Sequence, residues 1–177
     1  MFLDSDDFFK KNKLFEVYKF FQRFKNKNLV VDLPYFWYSQ RKFNIFKKNN
    51  LKIIKLWDKF PPQSCISLRG SFFLKIIENL NIRKFPSVWL DTRILLYSYF
   101  VIREYNIINK YLTYYFQHLN SASSSYKFLS FNWWLRRRET FDFLFHILKK
   151  KKIPIPFSID YYFTKFINFF ILIFKKF

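Results

Sequence analysis

Two tryptophans, Trp133 and Trp134, stand one residue ahead of three consecutive arginines, Arg136, Arg137 and Arg138. Together these types suit RNA. An indole face stacks on a base for roughly 1–3 kcal/mol, and a guanidinium both forks to phosphate and stacks on a base plane. Three adjacent arginines on a helix point about 100° apart and cover a fan of roughly 200°, too wide for one solvent stripe or one carboxylate. Phosphates arriving from several sides fit that fan. We expect Arg136 to Arg138 to contact phosphate, and one tryptophan, with Trp133 the candidate, to meet a base while the other enters the core. A second cationic marker is the run Lys149, Lys150, Lys151 and Lys152 at a helix end before the stiff "IPIP" (153 to 156), expected to anchor RNA.

Other chemistries find little material. The two histidines, His118 and His146, lack the neighbours of a zinc site. Asp142 precedes His146 by four residues and could orient its imidazole as in a catalytic pair. No nucleophile accompanies them, and such a contact near a helix end is ordinary stabilisation. The lone Gly70 cannot build a phosphate-gripping loop or a dinucleotide fingerprint. The chain is therefore expected to be no enzyme, with no catalytic residue, metal or cofactor.

Charge sharpens the expectation. Against 12 Asp and Glu stand 32 Lys and Arg, a formal charge of +20 over 177 residues, which calls for a negative partner. If about 6 cations neutralise phosphates, duplex affinity falls with salt at a logarithmic slope near −5. Hydrophobic residues make up 51% of the chain, so it is no ordinary disordered basic tail. The excess of Phe, Tyr, Lys, Asn and Ile, with single Gly70 and Ala122, follows A/T-rich codons and points to an organelle genome, above all a protist mitochondrial one. The same bias inflates Phe, which weakens aromatic richness as evidence for base stacking. Asp4, Asp6 and Asp7 are unlike an imported mitochondrial leader and favour synthesis inside the organelle. Cys65, unable to form an internal disulfide, is expected to be a small buried apolar residue.

The elements that would carry these residues are mainly helices. Leu14, Val17, Phe21 and Phe24 mark a helix over 6 to 25. Residues 28 to 38 are extended at best, because Pro34 restricts Leu33. Residues 39 to 60 read as a basic arm. Ser71 caps a helix to about 82, and Asp91 caps a short helix over 92 to 101. The strongest periodicity, Ile108, Tyr111, Leu112, Tyr115, Phe116 and Leu119, predicts a helix over 103 to 119, antiparallel to its predecessor. A loop at 120 to 125, a short strand within 126 to 135, helices over 136 to 150 and 160 to 175, and an extended 153 to 156 complete the chain. The expected fold class is mainly α with short strands, a small helical RNA-binding core with extended basic arms. Its divisions are residues 1–62 (helix and arm), 63–152 (core) and 153–177 (extended segment and helix).

The apolar runs 94 to 102 and 166 to 174 are under half the length of a bilayer span, so no transmembrane span is expected. The run 166 to 174, flanked by Lys165, Lys175 and Lys176, can alternatively rest in a membrane interface.

Small, basic, glycine-poor and without a catalytic set, the chain resembles a mitochondrial ribosomal protein. Within that class, residues 89 to 120 resemble the RNA-binding motif of the small-subunit S-four family, through Leu90, Asp91, Tyr99 or Phe100, Arg103, and Leu119 with Asn120. The tail from 153 looks like that family's closing segment. The resemblance implies that Arg93, Arg103 and Lys110 face ribosomal RNA from a helical pair, with Asn120 at its end, and that the protein joins the small-subunit body early in assembly. The expected function is a structural constituent of the mitochondrial ribosome in the matrix, with ribosomal RNA and neighbouring ribosomal proteins as partners. The competing expectation is an accessory subunit of a mitochondrial inner-membrane respiratory or ATP-synthase complex.

Overall fold

The structure, a computed structural model, describes residues 1–36, 60–80, 83–116 and 125–174. The expected arm at 39 to 60 lies almost wholly outside them, as does the loop from 120 through 124.

A four-stranded mixed sheet organises the fold. Its strands are β1 (Phe8–Phe9), β2 (Leu29–Phe36), β3 (Ile66–Leu68) and β4 (Ile107–Tyr115), in the order β1-β4-β2-β3. β4 lies between β1, antiparallel to it, and β2, parallel to it, while β3 pairs antiparallel with β2. Among the described residues five α-helices accompany the sheet: α1 (Lys13–Arg23), α2 (Gly70–Leu80), α3 (Leu90–Leu96), α4 (Phe131–Lys150) and α5 (Ile159–Phe174). The fold class is therefore mixed α/β, which corrects the mainly helical expectation. The sheet also takes strands from both sides of residue 62.

The largest error concerns β4. Residues 107 to 115 show helical spacing, but they are rich in Ile, Thr and Tyr, which sit well on a pleated surface. Pairing with β2 along the strand, and with β1 at Thr113 and Tyr114, satisfies much of its backbone, and that tertiary pairing overrides the periodicity. β2 forms despite Pro34, whose missing N–H falls beyond the last β3 pair and next to a register irregularity facing β4.

Alternation along β2 divides the interior. Leu29, Val31 and Leu33 join Ile66, Phe72, Ile76 and Leu80, Ile94 to Leu96, and Phe143, Leu144, Ile147 and Leu148 of α4 in one core cluster. Asp32, between them in sequence, turns the other way, toward α1. There Lys13 has no exposed surface, and its Nζ lies 2.8 Å from Asp32 Oδ1 and donates to Ser64 O and Thr113 Oγ1, each at 2.6 Å. Thr113 in turn donates to Asp32 Oδ2 at 2.7 Å. The ion pair sets the rotation of α1, so Val17 is buried while Leu14 and Phe24 of the expected stripe are exposed. Cys65 is fully buried beside this cluster, and burial pushes its thiol pKa well up.

Helix ends follow local chemistry. α3 starts earlier than expected, with Asp91 inside its first turn and not at the cap, and continues as a π-helical segment over Tyr97–Val101. Ser71 likewise falls inside α2. Ser130 Oγ accepts from Trp133 N at 3.2 Å and starts α4 at Phe131, which replaces the strand expected in 126 to 135. α4 closes with Ile153 N donating to Leu148 O at 2.9 Å and Lys152 N to Lys149 O at 3.1 Å, a turn that places Lys152 at φ 54°. Glycine is the usual residue there. In this glycine-poor chain Arg103, Leu129 and Lys152 occupy left-handed positions instead. Lys152→Gly is expected to raise stability by about 0.5–1 kcal/mol, the relief of the Cβ clash less the entropy of a freer unfolded chain. A urea midpoint that falls would contradict that backbone assignment.

α5 packs on α4 with reversed polarity. Thr164 and Asn168 are buried, and Asn168 Nδ2 donates to Trp134 O at 3.0 Å. Phe163, Phe166, Phe169 and Phe170 are exposed. Among the described residues, no helix is long and apolar enough to cross a membrane.

Candidate nucleic-acid interface

The arginines singled out by sequence mostly work inside the protein. Arg93 is fully buried and forks to three backbone carbonyls: Nε donates to Val88 O at 2.7 Å, Nη1 to Leu80 O at 2.7 Å, and Nη2 to Phe85 O. Its guanidinium also lies 5.2 Å from the Phe143 ring centroid. No surface of Arg93 remains for a phosphate, so the implied RNA contact becomes an internal clamp on the α2–α3 connection.

Arg136 is buried too. Its guanidinium stacks 3.7 Å from the Trp89 ring centroid and 4.9 Å from that of Tyr126, with Asp91 acting on it electrostatically. Arg137 ties α4 to α5, donating from Nη2 to Asp160 Oδ2 and from Nε to Thr164 Oγ1 at 3.1 Å. Arg138 is half-buried, and its charge acts on Asp142. The wide fan is real, but its first two members point into the protein. Replacing all three with alanine would damage packing before it tested RNA binding.

The tryptophans are engaged likewise. Trp134 is buried against Phe163, ring centroids 5.9 Å apart. Trp133, half-buried, meets Phe128 at 5.2 Å and Trp134 at 4.7 Å, with the Arg137 guanidinium 5.0 Å from its ring. The arginines therefore stack on the chain's own aromatic rings.

Other candidates reach solvent. Arg103 is exposed just past the π segment. Lys110 is exposed on β4, and its Nζ donates to Glu16 Oε1 at 2.7 Å, holding that carboxyl below its usual pKa. It does not stand on a helical pair with Arg103, since the second helix is a strand. Asn120 lies outside the described residues. Lys149 to Lys152 are all exposed where α4 ends.

One cationic grouping was not visible in sequence. The exposed Lys84, on the α2–α3 connection, donates from Nζ to His146 Nδ1 at 3.2 Å on α4, 62 positions away. The Phe85 ring supports both, 5.5 Å from the Lys84 ammonium and 5.8 Å from the imidazole. Arg93 grips the Phe85 carbonyl, and Glu139 Oε2 accepts from Ser87 N at 2.8 Å, which together hold the connection against α3 and α4. Burial, then the charges of Lys84 and Lys150, lower the His146 pKa. Burial raises the pKa of Asp142, the expected partner of His146, against the opposing charges of Arg138 on α4 and Lys165 on α5. Lys149 and Lys150 close α4 and Lys151 and Lys152 follow it, all exposed, and with Lys150 acting on His146 beside Lys84 the end of this helix presents a basic rim. Among the described residues no group of three or more His, Cys, Asp or Glu is placed to hold a metal ion.

No known relative speaks for this rim. No family model matches the chain, and neither a curated protein nor a solved structure matches it. Lys84 had a weak local signal, an Arg-Lys pair before Phe-Pro, but only the packing of α4 on the α2–α3 connection joins it to His146.

Proposed function

We propose that the protein is a non-enzymatic RNA-binding constituent of a mitochondrial ribosome, made inside the organelle and built into the small subunit. The observation that carries this reading is the basic rim, where Lys84 and Lys149 to Lys152 crowd positive charge on the surface of a +20 chain. Positive groups gathered so closely repel one another, and a polyanion relieves them. A structured RNA brings phosphates at several angles to such a rim.

The test is binding of small-subunit ribosomal RNA across a salt series by the full chain and by a variant carrying Lys149→Gln, Lys150→Gln and Lys151→Gln. Lys152 is left in place because of its backbone angle. The logarithmic salt slope is expected to shrink by about 2 to 3, near one unit per lost phosphate contact. An unchanged slope rejects the rim as the interface.

A second reading, an accessory subunit of an inner-membrane respiratory or ATP-synthase complex, is favoured by the exposed phenylalanines of α5 and the exposed Lys165 among them. Nuclease treatment of lysed organelles separates the two. Release of the protein from large particles supports the ribosomal reading, and persistence in nuclease-resistant membrane complexes supports the other.

A further inference from the structure

We infer that Lys84, His146 and Lys150 form a binding site for one backbone phosphate, and that filling it places a proton on His146. The inference rests on the RNA-binding reading and adds to it a specific ligand group and a proton.

An ammonium has three donors and no acceptor. The 3.2 Å contact between Lys84 Nζ and His146 Nδ1 therefore needs a lone pair on Nδ1, which makes the ring neutral with its proton on Nε2. Protonating Nδ1 would set two cations against each other across that short distance. Lys150, one turn along α4, adds a further positive charge, so both lysines disfavour a proton on the ring. The α2–α3 connection contributes Lys84 and the apolar Phe85 ring to this environment, and α4 contributes Lys150 and, one turn back, Asp142. Asp142 is answered by the charges of Arg138 and Lys165, while burial raises its own pKa. Glu139 is held by Ser87 N.

A phosphodiester oxygen entering between Lys84 and the ring removes the conflict. It accepts from the ammonium and from a protonated Nδ1, and its charge offsets the repulsion that kept the ring neutral. No bond is made or broken, and one proton is taken from solvent. Because Arg93 and Glu139 fix the connection that carries Lys84, the site is preformed and needs only a small shift of a lysine side chain.

The opposite sign holds without ligand. The lowered His146 pKa means the unfolded chain binds this proton more readily. The group's contribution to stability is present above about pH 6.5 and is lost as pH falls through the lower folded value.

The experiment measures binding of transcribed small-subunit ribosomal RNA by the full chain between about pH 6 and about pH 8 at constant salt, the range in which an imidazole titrates. Calorimetry in two buffers of different ionisation heat counts the protons. Affinity is expected to fall up to about tenfold as pH rises, the equivalent of a one-unit rise in the imidazole pKa on binding, with proton uptake below neutrality. His146→Gln is expected to bind RNA with no uptake and a flat pH profile. Lys84→Gln is expected to lower the salt slope by about one and to weaken the uptake. His118→Gln, which removes the other histidine, should leave the pH profile intact. Normal RNA binding with a flat wild-type profile, or with the profile unchanged in His146→Gln, overturns this site and leaves the functional reading standing. Absence of RNA binding at every pH overturns that reading itself.

Discussion

Asp32→Ala is expected to lower stability by about 3–5 kcal/mol, a large share of the roughly 5–15 kcal/mol that holds a typical domain together. The loss comes from what remains. Without the carboxylate, the Lys13 ammonium stays sealed at 0% exposure with a carbonyl and a hydroxyl as acceptors and no counter-charge. Those two neutral acceptors cannot offset the desolvation of an ammonium. The Thr113 hydroxyl also loses the oxygen to which it donates. The companion Lys13→Met is expected to be damaging for the mirrored reason. The double variant, Lys13→Met with Asp32→Leu, should recover most of the loss, because buried pairs replaced by apolar groups of similar volume are often neutral. Denaturant midpoints of the three variants complete the cycle. Single losses below about 1 kcal/mol, or a double variant as poor as their sum, would show that the pair does not hold α1 on the sheet.

Arg93→Lys is expected to cost about 2 to 4 kcal/mol even though the charge is kept. A guanidinium reaches three carbonyls on the α2–α3 connection at once, whereas an ammonium on a shorter stem leaves at least two without a donor, at about 1–3 kcal/mol each. The connection should loosen locally, seen as faster hydrogen exchange at Ser87 N–H, which now donates to Glu139. Because Lys84 rides on that connection, the salt slope of RNA binding should fall by close to one under conditions where the variant is still folded. Arg93 then acts as a positioning residue for the basic rim and does not touch the nucleic acid. A variant of normal stability with a weakened salt slope would instead restore a direct phosphate contact.

Both residues show how sequence reading ranks a side chain by type. Lysine and arginine mostly belong at the surface. Among the described residues Lys13 and Arg93 are fully buried, and each replaces something the composition withholds. Arg93 caps carbonyls in a connection with no glycine turn to satisfy them, and Lys13 joins a helix to two strands through a carboxylate, a hydroxyl and a carbonyl. Arg136, stacked on Trp89 and Tyr126, belongs with them. Trp133 was read as a platform for a base, yet the chain's own Arg137 guanidinium lies 5.0 Å from its ring, while Trp134 enters the core.

What could be read correctly from the chain was local or additive. Overall charge needs no fold. The helical stretches at 70 to 80, 136 to 150 and 160 to 174, and the break between the last two, depend on neighbours a few residues away and on prolines that forbid a helix. Residues 107 to 115 became a strand because pairing with β2, and with β1 at Thr113 and Tyr114, supplies hydrogen-bond partners, information held at positions 8 to 36. The pairing of Lys84 with His146 likewise spans 62 positions and exists because Arg93 and Glu139 press one connection against α4. Partners that far apart leave no spacing to recognise, since their meeting depends on how helices and sheet pack, and packing is a property of the whole chain.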